Sequence, residues 1–277
     1  MFDGESFGLI AQKEIRDALQ NRWFILFAAM FTLLTVGFAW IGVVGARGQG
    51  LAGFGRTTAT LINLVLLIVP LMALTLGAMS LTSEREQGAL AYLMAYPIGH
   101  GEVLFGKFVG LSLALCATLS LGFGIGALIL VWGGNSHNVR AYAVMVFLAM
   151  LLAIGMAAVG LLISVLSRRV ATAVGVAMFI WLLLVFVGDL GVLGTAFIRT
   201  LPLSTLFTLI IANPLQVFKL SAIMAVQTNL DVLGPAGLYA MRTYGDRLTW
   251  LLASILIAWT IIPLTLSYTM FKQRDII

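Results

Sequence analysis

The sequence predicts an all-α integral membrane protein. Six transmembrane helices are joined by an N-terminal amphipathic interfacial helix, a cytoplasmic helix after the second span and a periplasmic helical cap. Three observations lead there. First, 61% of the 277 residues are apolar and 10% are charged, against about 45–50% and about 25% in an ordinary globular domain. Second, six stretches free of Asp, Glu, Lys and Arg each reach the roughly 20 residues that a hydrocarbon core demands. Third, the basic residues fall mainly on one side of those stretches. This composition excludes a soluble enzyme and a disordered chain. The single Cys116 excludes a disulfide framework or a CxxC metal pair. A net charge of +5 therefore reads as cationic residues at a membrane face, not as nucleic-acid binding.

Taken in order, residues 6–22 place Phe7, Ala11, Ile15, Ala18 and Leu19 on one helical face, with Lys13, Asp17 and Gln20 elsewhere. That pattern predicts an amphipathic helix lying at the membrane surface. Spans are expected at 23–45, 58–81, 108–132, 141–166, 170–188 and 248–271, within a single transmembrane domain over 1–277. They should be helical, because lipid offers no partner to an open backbone, and they lack the alternation of a barrel strand. A further charge-free run, 200–218, holds Pro202, Asn213, Pro214 and Gln216, and is read as interfacial or buried structure. The first span is too long for a signal-peptide core and no A-x-A site follows it, so it is expected to be retained.

With the N-terminus inside, Lys13, Arg16, Arg22, Arg85, Lys107, Arg168, Arg169, Lys272 and Arg274 are cytoplasmic. The short outside loops hold only Arg47, Arg56 and Arg140. Basic residues favour the cytoplasmic side, so both termini and loop 82–107 are expected there, and loop 189–247 on the periplasmic side.

Loop 82–107 is the most informative. Ser83-Glu84-Arg85-Glu86 has the spacing of a capping box, and Pro97 should stop the resulting helix. Leu90, Leu93 and Met94 share one side, with Tyr92 and Tyr96 on another. Apolar groups on a cytoplasmic loop fit a partner's groove; the alternative is burial against headgroups or against the protein's own spans. Gly101 to Lys107 imitates the start of a phosphate-binding loop, but Phe108 replaces the required Ser/Thr and no strand precedes it. Lys107 is instead expected to mark the interface where the third span begins.

No charged residue falls inside an expected span, which argues against a proton-coupled carrier. His100 and His137, the two histidines, lie in loops, which excludes paired haem ligands. His137, Met224 and Met241 are outside-facing candidates for a metal contact, although ordinary packing accounts for them better. Neither catalytic residues nor a metal or cofactor of its own are expected in this chain. Gly106/Gly110 and Gly122/Gly126 have small-xxx-small spacing, which lets helices approach closely. Pro70 and Pro263 should kink the second and sixth spans. Asn213-Pro214 starts a helix through Ala225, and Asn213, Pro214, Phe218 and Met224 on it are candidates for contact with an external partner.

Residues 84–107, EREQGALAYLMAYPIGHGEVLFGK, resemble the signature of the ABC type-2 permeases: E-x-E-x-G-[ST]-L, then Pro-Ile/Val, then E-[IV]-L-x-G-K. Glu84, Glu86, Gly88, Leu90, Pro97, Glu102, Leu104, Gly106 and Lys107 match, with Ala89 where the family carries Ser or Thr. Lys13-Glu14, Asn213-Pro214 and the basic end 271–276 fit the same family. Ile62-Asn63-Leu64-Val65 running to Pro70-Leu71 is similar to one branch, the membrane subunit of the transporter that matures the copper centres of nitrous-oxide reductase.

This resemblance implies a permease in the bacterial inner membrane, paired with a second copy of itself and two cytoplasmic ATPase subunits that bind ATP and magnesium. A periplasmic copper-handling protein and membrane lipid would complete its partners, and nucleic acid would not be among them. It also implies a coupling helix gripped by the ATPase, built from Ser83, Glu84, Glu86, Gly88, Leu90, Leu93, Met94 and Pro97 and continued by Glu102, Gly106 and Lys107. Ser167, Arg168 and Arg169 would form a second contact. Two other readings make different predictions. A stand-alone carrier or channel would pass solute without ATP, and a membrane anchor of an enzyme complex would be replaceable by an unrelated anchor.

Overall fold

The computed structural model describes residues 4–49, 52–96, 98–132, 139–197, 207–208, 210–226, 243–245 and 247–273. They form helices α1 (Gly4–Gln20), α2 (Arg22–Gln49), α3 (Ala52–Glu86), α4 (Ala89–Met94), α5 (His100–Trp132), α6 (Val139–Leu166), α7 (Val170–Phe197), α8 (Pro214–Val226) and α9 (Arg247–Gln273). No strand occurs among the described residues. Six helices are long and apolar enough to cross a membrane: α2, α3, α5, α6, α7 and α9. The protein is thus an all-α integral membrane protein with six transmembrane helices.

Several of these helices outrun the expected spans, α3 and α5 through charged residues. α3 continues past Leu81 to Glu86, and α5 begins at His100 rather than Phe108. A charge-free stretch marks only the part of a helix that meets lipid. The charged ends here pair with one another inside the protein, so the helices continue through them.

α3 and α6 form the buried centre. They cross where glycine faces glycine: a Cβ on Gly77 would lie 2.5 Å from the Ala157 carbonyl, and one on Gly160 2.5 Å from that of Leu74. Such backbone contact replaces the hydrophobic drive that lipid removes. Beside the crossing, the Ser164 hydroxyl accepts from the backbone N–H of Leu81 and Thr82 at 2.9 and 3.0 Å. α2, α7 and α9 lie outside and turn Trp40, Phe179, Phe186 and Ile262 outward.

α5 uses both of its glycine pairs. Gly106 and Gly110 seat α1: a Cβ on Gly110 would stand 2.6 Å from the Ala11 carbonyl. Gly122 and Gly126 receive Phe31 and Thr35 of α2, where Phe31 meets Phe123 edge-on with ring centroids 5.1 Å apart. The Asn21 side chain caps α2, accepting from Trp23 N at 2.9 Å, and ties it directly to α1.

α1 is rotated from the expected face. Its buried stripe is Ile10, Ala11, Glu14 and Ala18, whereas Leu19 points outward. Contact with the glycine seat on α5 decides the rotation, and Glu14 finds a cation there. α8 also departs from expectation. It starts at Asn213-Pro214 as read, with Asn213 Oδ1 accepting from Leu215 N at 3.0 Å and Nδ2 donating to Leu184 O at 2.6 Å. The helix is wedged among α3, α6, α7 and α9, which buries Asn213, Pro214 and Phe218. Those three residues are therefore unavailable to an external partner, and Met224 is half-buried. Pro97, His137, Pro202, Met241 and Arg274 lie outside the described residues.

Candidate functional site

α1, α3 and α5 converge on a buried ion cluster. Lys107 Nζ lies 2.6 Å from Glu14 Oε2 and 3.1 Å from Glu84 Oε1, with its side chain only 2% exposed. It also donates to the Ser80 carbonyl at 3.3 Å. Lys13 Nζ reaches the same Glu84 oxygen at 2.6 Å, and the Ser80 hydroxyl donates to Glu14 Oε1 at 2.7 Å. An ammonium taken out of water persists only when paired and hydrogen-bonded, and three acceptors surround this one. Carboxylate oxygens of Glu14, Asp17 and Glu84 come within 4.8 Å of one another, a spacing that could hold a metal ion. The Lys107 ammonium already supplies positive charge to two of them. Lys107 is thus the hub joining three helices, not a marker where a side chain escapes to the interface.

The end of α3 carries a second set of links. The Arg85 Nη1 donates to the Ser167 carbonyl. Glu86 Oε1 accepts from Val170 N at 3.1 Å and so caps α7. This overturns the capping box read at Ser83–Glu86. Those residues close α3 instead of opening a new helix, and Ser83 lies half-buried within it. The break comes at Gly88, whose φ of 72° is the left-handed conformation that terminates helices. A box-like glutamate does occur further on, where Glu102 Oε2 accepts from Gly99 N at 3.2 Å at the start of α5.

Between these breaks, α4 is shorter than expected and turned the other way. Leu90 is 1% exposed within an apolar cluster that includes Leu81, Val103, Leu104, Leu161, Val165 and Phe271. Leu93 and Met94 pack against the same cluster. Leu90, at least, cannot touch a partner, because the bundle end itself supplies its groove. Tyr92 and Tyr96 form the outward face at 78% and 67% exposure. Arg168 and Arg169 are exposed on the 167–170 turn, which Arg85 and Glu86 hold.

The residues quoted from 84–107 therefore serve different ends. Glu84 and Lys107 make the ion cluster, Glu86 holds the turn, Gly88 breaks the helix, Leu90 anchors α4, Glu102 caps α5 and Gly106 seats α1. Sequence reasoning missed the roles of Glu14, Ser80, Arg85 and Ser164. Glu14 alone left a signal, a carboxylate spaced with Ile10, Ala11 and Ala18 on the buried stripe.

A six-span helical bundle with an ion cluster buried among three of its helices and an exposed aromatic and cationic face at the same end defines a polytopic membrane protein. The chain belongs to the ABC-2 transporter family: the family model described as ABC-2 family transporter protein matches residues 9–276. It is similar to the probable ABC transporter permease protein NosY of Stutzerimonas stutzeri, 31% identical over 271 residues that cover 96% of this chain and 97% of that one. It is also 30% identical over 278 residues to the protein of the same description from Pseudomonas aeruginosa, covering 96% and 98% of the two chains. The fold and family together make this chain the membrane subunit of an ABC transporter, a permease.

Proposed function

We propose that this chain couples ATP hydrolysis in a partner ATPase to conformational change at the opposite membrane face, in a machine that delivers copper for assembly of the nitrous-oxide reductase centres. The observation that carries the reading is the outward face made by Tyr92 of α4 and Tyr96 just beyond it, anchored by Leu90, with Arg168 and Arg169 exposed on the turn that the end of α3 holds. Force applied at this face would pass into α3 through the Arg85 and Glu86 links and into α1 and α5 through Lys107. The bundle would then move as braced blocks, not as a free lever over 83–97.

The distribution of Lys and Arg supports placing this end in the cytoplasm with both termini. Two copies with two ATPases, in a bacterial inner membrane facing a periplasmic copper-handling protein, complete the proposed assembly. The similarity to permeases described as NosY and the 62–71 segment support the copper assignment.

Co-purification with the partner ATPase tests the docking face. Tyr92→Asp/Tyr96→Asp should lose the ATPase while keeping the thermal stability of the permease, and retention of the ATPase by a stable double variant would refute the face. Complementation tests the cargo. In a nitrous-oxide-respiring host lacking its own permease of this type, this chain should restore copper-loaded reductase. A metal-free reductase despite an assembled, ATP-hydrolysing complex would refute the copper assignment alone.

A further inference from the structure

At the end of the bundle away from the ion cluster, α3, α7 and α8 enclose a cleft of about 240 Å³ lined by Asn63, Leu66, Leu67, Val185, Leu215, Gln216 and Lys219. Its walls are mostly apolar, and Leu67 on the rim is 48% exposed. The polar groups are two carboxamides and the ammonium of Lys219, a half-buried residue that forms no ion pair among the described residues. A cation at the rim of an apolar cleft suits a ligand that joins an anionic head to apolar chains.

Depth decides what kind of anion. Asn63 and Glu84 lie on the same helix, separated by about 31 Å at about 1.5 Å of rise per residue. The hydrocarbon core is about 30 Å thick. With the apolar run that opens at Ala59 spanning that core, Asn63 and the cleft lie about one helical turn inside its outer end, within reach of lipid headgroups. We propose that this cleft is a binding site for one anionic phospholipid of that leaflet. Its phosphate would pair with Lys219 and accept from the Asn63 and Gln216 amides, and an acyl chain would lie along Leu66, Leu67 and Val185. The site is independent of which ATPase or cargo the permease serves.

The test is lipid binding to the purified full chain in neutral detergent, read by native mass spectrometry and by thermal stabilisation. Phosphatidylglycerol should bind and stabilise, whereas phosphatidylcholine, diacylglycerol, glycerol 3-phosphate and inorganic phosphate should not. Lys219→Gln should weaken phosphatidylglycerol about fivefold, the size expected for one basic residue at an anionic surface. Lys219→Arg should retain it, and Lys272→Gln at the opposite end should leave it unchanged. Leu67→Trp, which fills the wall, should weaken it without altering the charge.

Unchanged affinity in Lys219→Gln overturns the proposal. So does equal binding of inorganic phosphate, which would make the cleft a simple anion site, or protection of Leu67 by a second copy of the chain in the absence of lipid. Asp189 follows Gly188 on α7, and its side chain lies outside the described residues. Phosphatidylglycerol binding that appears only in Asp189→Asn would assign Lys219 an internal partner and likewise overturn the proposal.

Discussion

Replacing Lys107 with methionine removes the hub of the ion cluster while keeping its length and apolar stem. Glu14, buried with it, is left with the Ser80 hydroxyl at 2.7 Å as its remaining hydrogen bond. Glu84 keeps Lys13 at 2.6 Å, so the charge left without compensation is that of Glu14. Stranding one partner of a buried pair costs about 3–5 kcal/mol. For a chain of this size that corresponds to a fall in Tm of roughly 6–20 °C. Adding Glu14→Gln removes the stranded charge, so Glu14→Gln/Lys107→Met should recover a good part of the loss. Thermal unfolding in detergent of the four members of this double-mutant cycle gives the coupling directly, expected at about 2 kcal/mol or more for groups in contact. A single variant within about 0.5 kcal/mol of the parent, or strictly additive changes, would refute the claim that Lys107 holds α1, α3 and α5 together.

Other perturbations follow from the same geometry. Gly110→Leu drives a side chain into the Ala11 backbone and should cost about 1–3 kcal/mol; proteolysis near Asn21 should increase as α1 lifts from α5. Gly88→Ala keeps the residue small but forces a Cβ into the left-handed region, and should lower stability by about 1–2 kcal/mol in the same unfolding assay. Glu86→Ala should speed hydrogen exchange at the Val170 amide by roughly tenfold, the equivalent of one hydrogen bond to a charged group. Gly160→Val places a branched side chain against the Leu74 carbonyl, and the permease should fail to reach the membrane fraction in folded form.

The six spans were legible because lipid imposes a simple rule, an uninterrupted run of apolar residues; α7 starts at Val170 as read but runs on through Asp189 to Phe197. The helix ends were not, since a charge reads as a boundary only when water or headgroups neutralise it. Glu84 and Lys107 neutralise each other across two helices that are distant in sequence. Glu14 was missed for the same reason: periodicity counts a carboxylate as a polar-face residue unless its counter-ion is known. The Gly106/Gly110 and Gly122/Gly126 pairs were visible as close-approach surfaces, yet spacing alone did not say that α1 and α2 would occupy them. Gly77 and Gly160 lie on separate helices, so no spacing pattern could relate them. Ser83-Glu84-Arg85-Glu86 misled because a capping box and a helix terminus gripping a neighbouring turn can share the same letters. Phe218 misled because a helix in an extramembrane loop is read as covering the bundle, whereas α8 is driven into it.

The docking claim has one direct test. A photo-crosslinking phenylalanine analogue placed at Tyr92, in the complete complex in native membranes, should yield an adduct with the ATPase subunit. The same analogue at buried Leu90 should react only within the permease. If Tyr92 instead reacts only with lipid or with its own chain while the complex hydrolyses ATP, the face assigned to the partner is the wrong one.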